Sequence, residues 1–400
     1  MSGPWISGAI ALLSVVAAEV VRDGYHWLGH TWQPFRSWHH VHHKVFRADL
    51  TPVSEAIYRQ AEWVNDVPEA LAMIALTGLG GAALWWQWQI PTGFVGSLYA
   101  GGFLLAAIAR GLGYGKFTDL SHRPGLLTTP PSHWFVNRTY HWRHHFDRGE
   151  AYYSGTFTLV DKILGTSLSL KNKTVAVTGA SGTLGRALIR ELHRRGARPV
   201  ALSHSPTADF TDIAPDVSVH PWQIGQEEAL RSLLATTDIL ILNHGINVMG
   251  RRDPEAIELS FAVNTWSHLR LLDLFLETVQ TSRDRACKEV WFNTSEAEVS
   301  PALSPLYELS KRTVGQLITL RRLDAPCTIR KLILGPFRSS LNPYGVMSGD
   351  WVAQAILFWA VRGFRDIIVT VNPLTYLLFP LSELGRSLYF RWFSRRGSEC

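Results

Sequence analysis

The sequence predicts two domains of different class: an α-helical membrane domain with histidine boxes suited to a di-metal site, then an α/β domain on a doubly wound parallel sheet. Three observations predict this. Eleven of the 16 histidines lie between His26 and His145, long apolar stretches interrupt that same region, and after Gly165 the texture changes to alternating strand and helix signals. A chain of 400 residues accommodates two domains of ordinary size. The composition shift sets the boundary at Ser169–Lys173, giving domains 1–168 and 169–400.

The first domain begins with an apolar, uncharged run from Pro4 to Ala18, followed by Glu19, Arg22 and Asp23, which reads as a short membrane anchor. It lacks the basic start and small-residue cleavage site of a signal peptide. Ala70–Trp86 and Ile90–Ala109 are two further apolar stretches, near the lower end of the roughly 17–25 residues that a spanning helix needs. Gln87, Trp88 and Gln89 alone separate them, so the pair reads as a helical hairpin with an aromatic interfacial tip. The flanking segments then share one side. Arg22, Lys44, Arg47 and Arg59 precede the hairpin and Arg110, Lys116, Arg123 and Arg138 follow it, which assigns that side to the cytoplasm. The expected localisation is therefore a multi-pass membrane protein with both active sites on the cytoplasmic side. Buried helices of a soluble protein are the other reading of stretches this short.

Lys and Arg total 39 against 33 Asp and Glu, a net charge of +6 that suits an anionic membrane surface. No nucleic-acid motif accompanies it. Cys287, Cys327 and Cys400 form no close pair, which excludes a disulfide framework and a thiolate metal site and fits a reducing compartment.

The histidines fall into His26-x-x-x-His30, His39-x-x-His42-His43 and His141-x-x-His144-His145. Offsets of three and four place imidazoles on one helix face, and several such helices converging can hold two metal ions with few carboxylates. A His-rich surface or a structural zinc site is the plainer alternative. Order and spacing resemble the fatty acid hydroxylase/sterol desaturase superfamily, with Tyr152-Tyr153-Ser154-Gly155 and Val160-Asp161-Lys162-Ile163-Leu164-Gly165-Thr166 extending the likeness over roughly residues 5–168. Ser121-His122-Arg123-Pro124-Gly125 resembles that superfamily's additional histidine segment and adds His122 to the ligands; His40 and His133 fit less well. The resemblance implies two iron ions, dioxygen, an external one-electron donor of ferredoxin or cytochrome type, and a lipid whose C–H bond is hydroxylated or desaturated. The superfamily commonly crosses the membrane more often than the three times found here, which leaves a thinner roof or a homodimer open. Trp27, Trp32, Trp38, Trp134 and Trp142 interleave with the boxes, either lining an apolar substrate channel or anchoring the interface.

In the second domain, Thr178-Gly179-Ala180-Ser181-Gly182-Thr183-Leu184-Gly185 follows a strand and opens a helix, the context in which glycines let backbone amides approach a pyrophosphate. This is a Rossmann signature, and its spacing resembles the short-chain dehydrogenases/reductases. Asp238-Ile239-Leu240-Ile241-Leu242-Asn243-His244-Gly245 resembles that family's strand ending in NNAG, with Leu242 for the first Asn and His244 for the Ala. Phe261-Ala262-Val263-Asn264, Ser295, Tyr307 and Lys311 then appear in the family's order. The resemblance implies a catalytic tetrad Asn264, Ser295, Tyr307 and Lys311, with the ammonium lowering the phenol's pKa, and cofactor contacts from the glycine motif, Ser203, Asn243, Gly245, Tyr307 and Lys311. The second strand ends Ala201-Leu202-Ser203-His204-Ser205 without an acid for the adenosine ribose, which favours NADP(H) and leaves NAD(H) open. Arg186 and His204 are candidates for a 2′-phosphate.

Leu334-Gly335-Pro336-Phe337-Arg338 resembles the segment that touches the nicotinamide. Trp351–Phe364 reads as a lid or a dimer helix, and the basic, aromatic tail around Tyr376–Phe393, with Arg386, Arg391, Arg395 and Arg396, as a membrane-surface helix. The order of the two domains is similar to bifunctional sterol desaturase/short-chain dehydrogenase proteins of cyanobacteria and, more distantly, to plant wax proteins. The expected activity is O2-dependent oxidation of a lipid followed by NAD(P)-dependent alcohol/carbonyl interconversion. A long-chain aldehyde deformylating oxygenase, and a membrane scaffold with structural zinc and a nucleotide-sensing fold, are the alternatives.

Overall fold

Helix α1 (Pro4–Thr31) does not stop at Ala18 but carries its charged turn inward. In the computed structural model, which describes residues 3–205, 207–214 and 216–395, Glu19 and Asp23 on that turn are buried. Each acid has a partner: Glu19 pairs with Arg22 at 3.3 Å and accepts the Tyr99 hydroxyl, while Asp23 accepts the Gly155 amide at 2.8 Å. His26 and His30 are therefore part of the first long helix.

After α1 come α2 (Phe35–His43) and α3 (Glu55–Ala61), the latter capped by the Ser54 hydroxyl. A π turn over Glu62–Asp66 joins α3 to α4 (Val67–Trp88), and α5 (Val95–Gly111) follows a short turn. Pro4–Thr31, Glu55–Trp88 and Pro91–Gly111 are long and apolar enough to cross a membrane. Small residues bring them together: a Cβ on Gly96 would lie 2.2 Å from the Ser14 carbonyl oxygen, so only glycine fits there. Helix α6 (Arg138–Phe146) is capped by Asn137, and α7 (Leu159–Leu164) closes the unit. Asp161 on α7 accepts from the Tyr153 and Ser154 amides and the Tyr140 hydroxyl at 2.8–2.9 Å, fixing the loop that follows α6.

The chain divides into two units, one holding residues up to Leu127 and Pro131–Ser167, the other Thr128–Pro130 and everything from Leu168 onward. The second is a parallel sheet with order β3-β2-β1-β4-β5-β6-β7 among the described residues. In chain order it runs β1 (Thr174–Thr178), α8 (Thr183–Arg194), β2 (Arg198–Ser203), β3 (Ser218–Pro221), α9 (Arg231–Thr236), β4 (Ile239–Leu242), α10 (Pro254–Phe261), α11 (Ser267–Glu277), α12 (Ser282–Cys287), β5 (Glu289–Asn293), α13 (Pro305–Arg321), β6 (Thr328–Leu334), α14 (Gly349–Val361), β7 (Asp366–Val369) and α15 (Pro373–Phe393). Val175, Val177 and Ile241 bury one sheet face under α8 and α14, and Ala176, Leu240 and Leu242 bury the other under α11 and α13. Both faces covered is why these strands read as continuous apolar runs. The strand order reverses between β1 and β4, opening a crevice at their carboxyl ends.

Helix α14 buries Val352, Ala353, Ile356 and Leu357 in the core beside α8 and leaves Trp351, Phe358 and Trp359 exposed on its other face. Helix α15 is tied down by an ionic cluster in which Glu383 receives Lys331 at 3.0 Å and Arg322 at 3.2 Å, and Arg386 reaches Glu298. Its outer face leaves Leu377, Leu381, Leu384 and Trp392 exposed. Arg396 and Cys400 lie outside the described residues.

Candidate functional site

The histidine boxes fold into two groups rather than three. His26, His30, His39, His43 and His144 form one, and His42, His122, His141 and His145 the other, with the ring nitrogens of each group within 4.8 Å of one another. Within H-x-x-H-H, the first and last residues are one helical turn apart and share a face; the middle one points to the other group. Thus α2 sends His39 and His43 to the first group and His42 to the second. Helix α6 does the reverse, sending His144 to the first and His141 and His145 to the second. His40 is exposed, and neither it nor His133 joins either group.

Hydrogen bonds fix which nitrogens face inward. His26 Nδ1 lies 2.7 Å from the Tyr153 carbonyl, His144 Nδ1 2.8 Å from the Ala151 carbonyl, and His39 Nδ1 3.0 Å from Asn65 Oδ1. These are acceptors, so each Nδ1 carries the proton and each Nε2 presents a bare lone pair. Those Nε2 atoms converge: His144 Nε2 lies 2.8, 3.0 and 2.9 Å from the Nε2 atoms of His26, His30 and His43. In the second group His122 Nδ1 meets Asp119 at 2.8 Å, and the Nε2 atoms of His122, His141 and His145 stand 2.9–3.1 Å apart. His26 and His144, both protonated at Nδ1, thus face each other with bare lone pairs 2.8 Å apart, which repel unless a cation sits between them, and the converging imidazoles fit two bound metal ions.

Burial, and after it the crowding of neighbouring imidazoles, holds His42, His141, His144 and His145 well below the ordinary histidine pKa, with His43 at about 2. All are therefore neutral, the form that binds metal. Against burial, His122 and Arg110 keep the Asp119 carboxyl low, at about 2, so it faces His122 as a carboxylate. Sequence reasoning passed over Asn65 and Asp119, single polar residues outside any repeating pattern.

A cavity of about 760 Å³ opens beside these groups, lined by His26, His42, His122 and His141 together with Arg22, Glu62, Asp66, Glu69 and Arg110. The interleaved tryptophans are not on it. Trp27, Trp32, Trp38 and Trp134 are exposed, and Trp142 is buried with its indole N–H donating to the Ala48 carbonyl. The expected channel of tryptophans is absent among the described residues; Val45, Phe46, Phe103, Ala107, Phe135 and Val136 line the cavity beside the charged groups instead.

In the α/β unit a cleft of about 1360 Å³ occupies the β1/β4 crevice. Gly179 has φ +60, and a Cβ on it would lie 2.9 Å from the His244 Cα; one on Gly185 would lie 2.2 Å from the Gly179 carbonyl oxygen. Both positions exclude any larger residue, and the turn delivers Ser181, Gly182, Thr183 and Leu184 to the cleft at the N-terminus of α8. Asn243 and Gly245 line it too, Asn243 accepting from Asn293 Nδ2 at 2.8 Å. Ser203 ends β2 within 3.3 Å of Ser181, with no carboxylate at that strand end and His204 on the cleft wall. Arg186 is already bonded to Asp212 at 2.7 Å and to the Asp209 carbonyl. These residues fit a dinucleotide.

Ser295, Tyr307 and Lys311 line the same cleft. Asn264 is fully buried on a π turn, where its side chain accepts from the Ile246 amide at 2.9 Å and donates to the Ile246 carbonyl and the Ser310 hydroxyl at 3.0 Å. It pins the loop after β4. Lys311 donates to the Asn293 carbonyl at 2.9 Å, and its ammonium stands 6.0 Å from the Tyr307 ring centre. Burial lowers the Lys311 pKa to about 8. Burial also raises the Tyr307 phenol, with the Ser295 hydroxyl opposing. The Tyr-x-x-x-Lys spacing puts both side chains on one face of α13, with the ammonium over the Tyr307 ring. His244, in place of the family's small residue, is buried and stacks on His268 at 3.8 Å with rings 7° apart. His268 lay outside every motif.

A family model described as the NAD dependent epimerase/dehydratase family matches residues 175–313. Over 411 aligned residues, 99% of this chain and 100% of the other, the chain is 53% identical to a monoglucosyldiacylglycerol epimerase of Synechocystis sp.. Among solved structures, a short-chain dehydrogenase of Burkholderia cenocepacia in complex with NADP is 18% identical, covering 57% of this chain and 100% of that one, with a TM-score of 0.47. A ligand-free aldohexose dehydrogenase of Thermoplasma acidophilum is 14% identical over 50% of this chain and 93% of that one, with a TM-score of 0.42.

Proposed function

The chain belongs to the family of the Synechocystis monoglucosyldiacylglycerol epimerase, and from that premise we propose that it inverts one carbinol carbon in the sugar headgroup of a membrane glycolipid by reversible hydride transfer in its α/β unit. The carrying observation is a single cleft holding both a glycine cradle that excludes side chains and the set Ser295, Tyr307 and Lys311. The cradle of Ser181, Gly182 and Thr183 would hold NADP(H), whose oxidised form would supply a hydride acceptor and whose reduced form a donor.

The protein supplies the rest. Ser295 would hold the hydroxyl oxygen, and Tyr307, as the phenolate beside the Lys311 ammonium, would take its proton as the C–H bond breaks, leaving a ketone. After the ketone turns its other face, the hydride returns to carbon and Tyr307 returns the proton to oxygen. Lys311 orients the site from the Asn293 carbonyl, and Asn264 holds the loop that walls it. Such a cycle has no net oxidation, where the domain order led to the expectation of a net alcohol/carbonyl interconversion. The test uses glucolipid deuterated at the inverted carbon: the epimer should form with its label retained and no solvent hydrogen at that position. Exchange with solvent would exclude hydride return.

A second reading concerns the helical unit, favoured by the inward lone pairs of its two histidine groups. They would hold two iron ions, which supply dioxygen-dependent C–H oxidation with electrons from a one-electron donor. The mixed lining of the cavity, charged at Arg22, Glu69 and Arg110 and apolar at Phe46, Phe103 and Phe135, suits a lipid with both a polar and an apolar part. Metal analysis and oxygen uptake test it: two irons per chain with lipid-dependent uptake are expected, whereas redox-silent zinc without uptake would make the unit a scaffold. The positive flanks of the hairpin support a cytoplasmic side for both sites, and the exposed apolar face of α15 supports its lying on the membrane surface.

A further inference from the structure

Leu303 and Met249 stand on different loops of the α/β unit, yet share three properties. Both have left-handed backbone, φ +54 and +56; both expose a large apolar side chain, Leu303 at 99% and Met249 at 52%; and both line the mouth of the same cleft. Left-handed backbone disfavours residues with a Cβ and is ordinarily filled by Gly or Asn. Solvent exposure of a leucine adds nothing that offsets this. A position that is strained and exposed twice over at one site points to use rather than folding.

The lip is also held rigidly. Ser304 is the N-cap of α13, where a serine normally accepts from the first turn of its own helix. Here its hydroxyl makes no such bond and lies 2.7 Å from Asn247 Oδ1 and 3.1 Å from the Met249 carbonyl, while the Met249 amide donates to the same Asn247 oxygen at 2.8 Å. A capping bond is given up to staple the two loops together, on the helix that carries Tyr307 and Lys311. The cleft behind the lip exceeds the roughly 300–1,000 Å³ of a single small-molecule site, leaving room for a bulky second ligand beside a dinucleotide.

We propose that Leu303 and Met249 form an apolar lip that seats the acylglycerol part of the lipid substrate, so that the sugar headgroup reaches Tyr307 while its tails stay among lipid. This rests on the glycolipid reading above. The three apolar helices of the same chain keep such lipid at hand.

The full-length protein in vesicles containing monoglucosyldiacylglycerol tests it through two variants beside wild type: Leu303→Asn/Met249→Asn together, which keeps residues tolerant of left-handed backbone, and Leu303→Gly. The double variant should raise the apparent KM for bilayer glucolipid roughly tenfold or more, the size expected from losing two apolar contacts, with kcat within about twofold. NADPH affinity by fluorescence titration should be unchanged. Leu303→Gly should raise KM while its melting temperature holds or rises, since it relieves the backbone. An unchanged KM in the double variant, or a lowered melting temperature with a fall in kcat instead, overturns the lip and leaves the epimerase reading standing. Wild type that forms no epimer from the bilayer lipid overturns both.

Discussion

The histidine groups of the helical unit and the dehydrogenase cleft of the α/β unit both bury polar side chains, and they satisfy them in opposite ways. In the first, hydrogen bonds run outward, from Nδ1 atoms to Tyr153, Ala151, Asn65 and Asp119, and leave the inner nitrogens facing only each other. In the second, Asn264 and Lys311 spend their bonds on backbone groups of neighbouring loops. The inner nitrogens of the cage call for cations, whereas Asn264 and Lys311 in the cleft are satisfied by the protein itself. Metal should therefore stabilise the first unit by completing its interactions, and cofactor the second by binding alone.

The sharpest way to break this comparison is Tyr307→Phe. Removing one hydroxyl that only reacts should cut epimer formation by about 10²–10⁴-fold while metal content and melting temperature stay at wild-type values. Loss of metal in this variant would show that the two sites are not separate. The assay is epimer formation by chromatography alongside metal analysis of the same sample.

What the sequence displays in each region differs for the same physical reason. Ligands spaced by one helical turn are legible because a helix enforces their common face, and so are Tyr307 and Lys311. How His39-x-x-His42-His43 divides between two groups is not legible, since it depends on where α1, α2 and α6 meet. The same holds for distances: four residues of helix bring Lys311 alongside Tyr307, but only the structure gives the 6.0 Å from its ammonium to the ring centre. The glycine turn is legible to the residue, because Gly179 and Gly185 have no room for a side chain. Tryptophans carry no such constraint, and reading them as a channel failed where exposure and the Ala48 carbonyl claim them. Asp119 and Asn65 could have been sought only by asking what holds the second nitrogen of each ligand.

Asp119→Asn sharpens the cage half. It keeps the shape but removes the carboxylate that orients His122, and the expected result is a 10–100-fold weaker hold on metal in the second group, read by competition with a chelator. Epimer formation with saturating NADP(H) should change much less. Equal losses in both would mean that the helical unit takes part in the epimerisation itself.

The smallest effect separates the two kinds of burial by pH. His244 in the cleft unit is buried and neutral, with a folded pKa of about 3 set by burial and then by the charge of Lys311, against 6.5 for an ordinary imidazole. An unfolded chain takes up a proton below pH 6.5 that the folded chain refuses, so stability is intact above that value and falls as pH drops through it, by about 1.4 kcal/mol per unit for one such group. His244→Ala removes that penalty along with the stack on His268. Denaturant titrations at about pH 7.5 and 5.5 should show the variant less stable than wild type at the higher pH, but losing about 1–1.5 kcal/mol less on acidification. If its acid loss equals that of wild type, His244 is protonated in the folded protein. The stacked pair would then carry charge beside Lys311, and the cleft would share the electrostatic incompleteness assigned here to the cage alone.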